Sequence, residues 1–106
     1  MSMDMNKMLQ QVQQMQEEVA RAQEELAGET VEASVGGGTV VVKATGAGEI
    51  VEVRIAPEVI DPDDPETLGD LVLAGVNQAL RNSQELQQSK LGGAMGGLKG
   101  LGLPGL

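Results

Sequence analysis

The sequence predicts a small α+β protein of order α-β-β-β-α, with two long helices flanking a three-stranded antiparallel meander. Three observations lead there. The opening stretch MNKMLQQVQQMQEEVARAQEEL places Met5, Met8, Val12, Met15, Val19, Ala22 and Leu26 three and four residues apart, an apolar stripe along one side of a helix. The middle of the chain holds ETVEASV, TVVVKAT and EIVEVRI, three β-branched runs separated by GGG and GAG. Such runs bounded by glycines read as hairpin strands. After a turn rich in Pro and Asp, a helical period returns with Leu68, Leu71, Val72, Val76, Ala79, Leu80 and Leu86.

Each element has its own warrant. The first helix is expected from about Asp4 to Ala27, stopped by Gly28, because Gln, Glu, Met and Ala favour helix and nothing within interrupts them. In the first strand Val31, Ala33 and Val35 alternate with Glu32 and Ser34. In the third, Val51, Val53 and Ile55 alternate with Glu52 and Arg54, so one face is expected buried and one wet. Val40, Val41 and Val42 are apolar on both faces, as a central strand can be. Asp64 is the expected N-cap of the second helix, with Pro65 at its first position and Glu66 in its first turn. That helix is expected to end at Ser89 or Lys90. The remainder, LGGAMGGLKGLGLPGL, holds seven glycines and a proline and reads as a flexible tail. The chain thus divides into a domain over 1–90 and a tail over 91–106.

Composition excludes much chemistry. With no Phe, Trp or Tyr among 106 residues, the core must be aliphatic, and part of the stability is expected to come from a second subunit. The absence of Cys and His removes disulfides, thiol nucleophiles, imidazole bases and Cys/His zinc sites. A reducing cytoplasm fits this usage. The N-terminus lacks the apolar core of a signal peptide, and no run is long enough to span a membrane. The net charge of −9 repels phosphate backbones at long range.

The first helix is longer than a three-stranded sheet can cover, so part of its seam must overhang. An apolar seam at heptad spacing is most readily covered by another helix. We expect a homodimer with helices or sheet edges paired across the two-fold, and Met5, Met8, Val12, Met15 and Val19 in its interface. With Met5 as position a, the acids Asp4, Glu17, Glu18, Glu24 and Glu25 all fall at f or g, whereas b and c hold none. Lys7 and Arg21 share position c, about 21 Å apart along the axis. The expectation is an acid-free flank able to approach an anion, weighed against ordinary pairing of Arg21 with Glu17 and Glu25 at i−4 and i+4.

Other features read as structure. Asp61, Asp63, Asp64 and Glu66 offer carboxylates to a divalent cation, but the spacing is not that of an EF-hand and a cap and turn explain it. GGG at 36–38 neither leads into a helix nor precedes a P-loop Lys, so it is a hairpin turn. Met5, Met8 and Met15 suit either an adaptable partner surface or core. Asn77 is expected to hydrogen-bond across the helix interface or to reach solvent.

The chain resembles the YbaB/EbfC family of bacterial nucleoid-associated proteins. The resemblance covers nearly the whole length and rests on NKMLQQVQQMQEEVARAQEEL, GGGTVVVKATGAGEIVEVRI, IDPDDPETLGDLVLAGVNQAL and the tail ending GLPGL, in that order. It implies a homodimer whose paired helices project like tweezers. It also implies a cytoplasmic, nucleoid-linked protein that binds double-stranded DNA, with roles in nucleoid organisation and gene regulation; an enzyme is not expected because no His, Cys, Tyr or nucleotide motif is present to carry chemistry. DNA contact through the helices points by position to Lys7, Gln14, Arg21, Arg81 and Lys90. With few cations per chain, the expected binding is weak, with a shallow salt slope and little base readout. No metal, cofactor or small-molecule substrate is expected. The competing reading is an adaptor that binds a protein through the Met-rich helix and the tail.

Overall fold

The computed structural model describes residues 2–94 of the chain, with side chains over 4–92. Helix α1 runs Ser2–Gly28, strands β1, β2 and β3 run Thr30–Val35, Val40–Thr45 and Ile50–Ile55, and helix α2 runs Pro65–Ala94. The strands pair antiparallel in the order β1-β2-β3, a meander with β2 at its centre. The α+β order expected from the sequence is the observed one.

The hairpin turns follow from local chemistry. Gly36, Gly37 and Gly38 all have positive φ, a region costly for residues with a Cβ, and they carry β1 back into β2. The entry to α2 is capped as expected. Asp64 accepts the Thr67 N–H at 3.3 Å and the Thr67 hydroxyl at 2.6 Å. Asp63 donates its N–H to the Asp61 carboxylate at 2.9 Å, so this acidic cluster is a turn and a cap.

The core lies between α2 and the sheet. Val40, Val42, Ala44 and Ala79 are fully buried, with Ala33 beside them. Val41 on the opposite face of β2 is half-buried, in keeping with a central strand. Helix α2 approaches the sheet closely at Gly75, where a Cβ would stand 2.8 Å from Val42 Cγ2. Two polar anchors fix the rest. The Ser83 hydroxyl, buried, donates to the Thr45 carbonyl at 2.8 Å, and Asn82 Nδ2 donates to the Glu32 carbonyl at 3.0 Å.

These contacts set α2 over β1 and β2, which corrects one expectation. Val42 lies opposite Val53 in the ladder, and opposed residues share a face, so Val53 is on the helix-facing side. Yet Val53 is 40% exposed and Val51 52% exposed, because α2 does not extend across β3. A bulge near Lys43 and Ala44, opposite Glu52 and Ile50, adds to the irregularity of that edge.

Helix α1 docks only by its C-terminal end. Leu26 is 2% exposed and Ala22 is buried, whereas Met15 and Val19 are half-buried and Met5, Met8, Leu9 and Val12 are exposed, Met8 at 65%. The expected overhang is therefore present, and the protein measures 74 Å in its longest dimension against 25 Å and 17 Å in the others. Helix α2 differs from expectation at its end. It continues past Lys90 to Ala94, with Leu91 half-buried against the foot of α1, so the first glycines assigned to the tail are helical. The expected flexible tail beyond residue 94 lies outside the described residues.

Candidate nucleic-acid interface

Of the basic side chains, three are neutralised within the fold. Lys43 and Arg54 stand on the outer face of the sheet with Glu32 and Glu52. Lys43 Nζ lies 3.5 Å from Glu32 and 3.7 Å from Glu52. Arg54 lies 3.2 Å from Glu32 and 3.1 Å from Glu52. The four groups form a closed ring without net charge. Its two cations are committed to carboxylates, which leaves little net field at the sheet for a phosphate backbone.

Lys90 is the third. Its ammonium lies 3.1 Å from Glu25 and also bonds Glu29, and these hydrogen bonds, that to Glu29 first, raise its pKa above the ordinary lysine value. Lys90, expected among the DNA-contacting residues, is half-buried and ties the last turns of α2 to the end of α1. The fold places the acids Glu25 and Glu29 next to it, a pairing 61 residues apart in the case of Glu29 that sequence spacing does not reveal.

Lys7, Gln14, Arg21 and Arg81 are all exposed. Among the described residues, Lys7, Arg21 and Arg81 make no ion pair. Arg81 instead donates to Gln78 Oε1 at 3.1 Å, and Gln78 donates to Asn82 at 2.9 Å. The first three residues share a row on α1, and Arg81 belongs to α2, so the structure does not gather them into one cluster of contacts.

The helix geometry revises the expected acid-free flank. At about 100° per residue, position c falls between f and g around the helix. Arg21 is accordingly flanked by Glu17, Glu18, Glu24 and Glu25. The acid-free region is instead a length of helix. From Met5 to Gln16 there is no acid on any face, and Lys7 is the one charge, in a chain of net −9. This stretch is the part of α1 that projects from the body. Its exposed Gln10, Gln11, Gln13, Gln14 and Gln16 amides both donate and accept hydrogen bonds. The signal was present in the sequence as an interval between acids, and a heptad grid concealed it.

The remaining concave surfaces offer little chemistry. A cleft of about 350 Å³ lies between Gln23, Leu26, Gly46, Ala47, Gln87 and Leu91, with no titratable group in its lining. A shallow apolar groove follows α1 along Val12, Met15 and Val19. Among the described residues, no group of three or more His, Cys, Asp or Glu side chains is placed to hold a metal ion. No helix among them is long and apolar enough to cross a membrane.

The described residues form a small α+β body with a projecting amphipathic helix whose apolar stripe is exposed, the architecture of a binding protein. The chain belongs to the YbaB/EbfC DNA-binding family, whose model matches residues 1–98. It is 53% identical over 103 residues to a nucleoid-associated protein of Thermoanaerobacter sp., covering 97% of this chain and 90% of that one. It is 52% identical over 103 residues to a nucleoid-associated protein of Streptomyces avermitilis, covering 97% and 91%. The fold is similar to the crystal structure of an uncharacterized protein from Helicobacter pylori, with a TM-score of 0.70 at 20% identity over 79% of this chain and 88% of that one.

Proposed function

We propose that this chain is a homodimeric, nucleoid-associated protein that binds double-stranded DNA with little sequence preference, in the cytoplasm, and so acts in nucleoid organisation and gene regulation. The observation that carries this reading is the projecting stretch Met5–Gln16, exposed and free of acid, with Lys7 on it. An acidic protein meets a polyanion most readily where its own carboxylates are sparse, and between Asp4 at the start of α1 and Glu17 this arm carries none. Lys7, Gln14, Arg21 and Arg81 make the contacts to the phosphate backbone, and Lys90 positions α1 through Glu25 and Glu29. Position c lies on the side of α1 away from its apolar seam, so DNA and a second subunit do not compete for one face. The seam through Met5, Met8, Val12, Met15 and Val19 is covered in the homodimer, as an exposed apolar stripe of this length requires.

Fluorescence anisotropy with a random-sequence labelled duplex, across a salt series, tests the DNA reading. With about two to four phosphates neutralised per dimer, log K should fall with log salt at a slope of about −2 to −4. Absence of binding at low salt, from a sample shown to be dimeric, would sink direct DNA binding.

A further inference from the structure

We propose that Asn6, Gln10 and Gln13 of α1 read adenine edges in the DNA major groove, with Leu9 against the thymine methyl group, so that the protein favours duplexes rich in A·T pairs. This rests on the DNA-binding reading above and adds the groove and the base to it.

The placement follows from the helical period. At about 100° per residue, Asn6, Gln10 and Gln13 form one row, at i, i+4 and i+7, and that row lies roughly opposite the apolar seam of Met8, Val12, Met15 and Val19. Whatever covers the seam therefore leaves the row in solvent, and all three residues are exposed. The carboxamides of α2 are used inside the fold: Asn82 donates to the Glu32 carbonyl, Gln78 to Asn82 and Gln87 to Ser83. No side-chain hydrogen bond among the described residues uses those of Asn6, Gln10 or Gln13. The arm thus carries three unengaged amides along about 10 Å of helix axis, the rise of about three base pairs.

The chemistry of the row selects the base. Each carboxamide offers a donor and an acceptor side by side. In the major groove adenine presents an acceptor, N7, next to a donor, the N6 amine, which is the matching pair. Guanine presents two acceptors there, and cytosine a lone donor. Two acceptors call for the paired donors of an arginine, and the row holds none. Bidentate pairing by these amides is therefore open to adenine and not to guanine. Three amides on one short helix specify base composition rather than a long site, in keeping with binding that tolerates many sequences.

The neighbours of the row fit the same groove. On one flank stands Leu9, which is 58% exposed and outside the three-and-four spacing of the seam. Apolar contact with the thymine C5-methyl gives this side chain a use, on the partner base of the adenine being read. On the other flank stand Lys7 and Gln14, toward the phosphates. The groove is about 12 Å wide and a helix with its side chains about 10–12 Å across, so α1 enters it without distorting the duplex. Because the arm projects from the body, the sheet and α2 do not obstruct that approach.

Fluorescence anisotropy of the full chain at one low salt concentration tests this with three labelled duplexes of equal length. The first holds only A·T pairs, the second only G·C pairs, and the third is the A·T duplex with 7-deazaadenine in place of adenine. That analogue keeps the base pair and the minor groove but carries a C–H where N7 accepts. The expected result is binding to the A·T duplex at least about fivefold tighter than to the G·C duplex, the lower bound for one bidentate pair, and loss of that preference with 7-deazaadenine. The double variant Gln10→Ala, Gln13→Ala keeps strong helix formers on the arm, and far-UV circular dichroism confirms its fold. It should bind the A·T duplex no better than the G·C duplex. Equal affinity of the unmodified chain for A·T and G·C duplexes would overturn base reading and leave DNA binding standing. A preference that survives 7-deazaadenine or the double variant would assign it to groove shape and overturn the proposal. No binding to any duplex by the folded chain would overturn the DNA-binding reading itself, and this inference with it.

Discussion

Asn82 of α2 donates its side-chain amide to the main-chain carbonyl of Glu32 on β1, across 50 residues of sequence. One side chain thereby holds the second helix on the sheet and satisfies a backbone group at an open edge. Asn82→Ala removes the donor and also breaks the link through Gln78 to Arg81. A loss of about 1 kcal/mol in unfolding free energy is expected, the net worth of such a bond. Urea denaturation followed by circular dichroism measures it, and an unchanged midpoint would show that water replaces the amide at no cost.

Two glycines of α2 should respond to the same substitution with opposite signs. Nothing lies within 4 Å of a Cβ built at Gly69, so Gly69→Ala gains helix propensity, about 1 kcal/mol. At Gly75 the added methyl meets Val42 Cγ2 at 2.8 Å, and overpacking of this kind costs about 1–3 kcal/mol. Thermal unfolding of the two variants should separate them by that difference, since the propensity gain is common to both. Equal stabilities would mean that α2 shifts freely over β2.

The clamp at Lys90 gives a pH dependence with a definite sign. Its hydrogen bonds to Glu29 and Glu25 raise the folded-state pKa above the unfolded value. The stabilisation is therefore fully present below the unfolded lysine pKa of about 10.4 and is lost as pH rises through the folded value. Lys90→Met should melt below the parent chain at pH 7, and the gap should close in strongly alkaline buffer. A gap that persists there would assign the effect to packing of the lysine stem.

On the DNA side, position along α1 should outweigh position around it. Lys7 has a single acid within a turn, Asp4, whereas Arg21 stands among four glutamates. Lys7→Glu is expected to weaken duplex binding more than Arg21→Glu and to lower the salt slope by about 1 for each Lys7 in contact, about 2 for a homodimer. Anisotropy titrations of both variants at two salt concentrations decide it; a larger effect at Arg21 would place the contact near the body.

The elements themselves were legible in the sequence because each had a local cause. The period of the Met5–Leu26 seam, the glycines at 36–38 and the Asp64-Pro65 cap act within a few residues, and the structure places helix, turn and cap accordingly. Family membership was legible for a similar reason, since it rests on the order of contiguous blocks. What escaped was decided at long range. Val51 and Val53 look buried by alternation, but their burial depends on where α2 lies, which Gly75, Asn82 and Ser83 determine. Lys90 looks like a free cation until the fold brings Glu25 and Glu29 beside it. The ring at Glu32, Lys43, Glu52 and Arg54 needs the register of two hairpins at once.

The projecting helix also governs how the molecule moves through solution. Its Cα radius of gyration is 20.3 Å, whereas a compact chain of 100 residues has about 13 Å. A particle so extended experiences more friction than a sphere of its mass. It leaves a gel-filtration column early and tumbles slowly, so that even a single subunit migrates as something larger. Light scattering and sedimentation equilibrium, which weigh particles without reference to their friction, are the measures of assembly that the shape leaves unbiased.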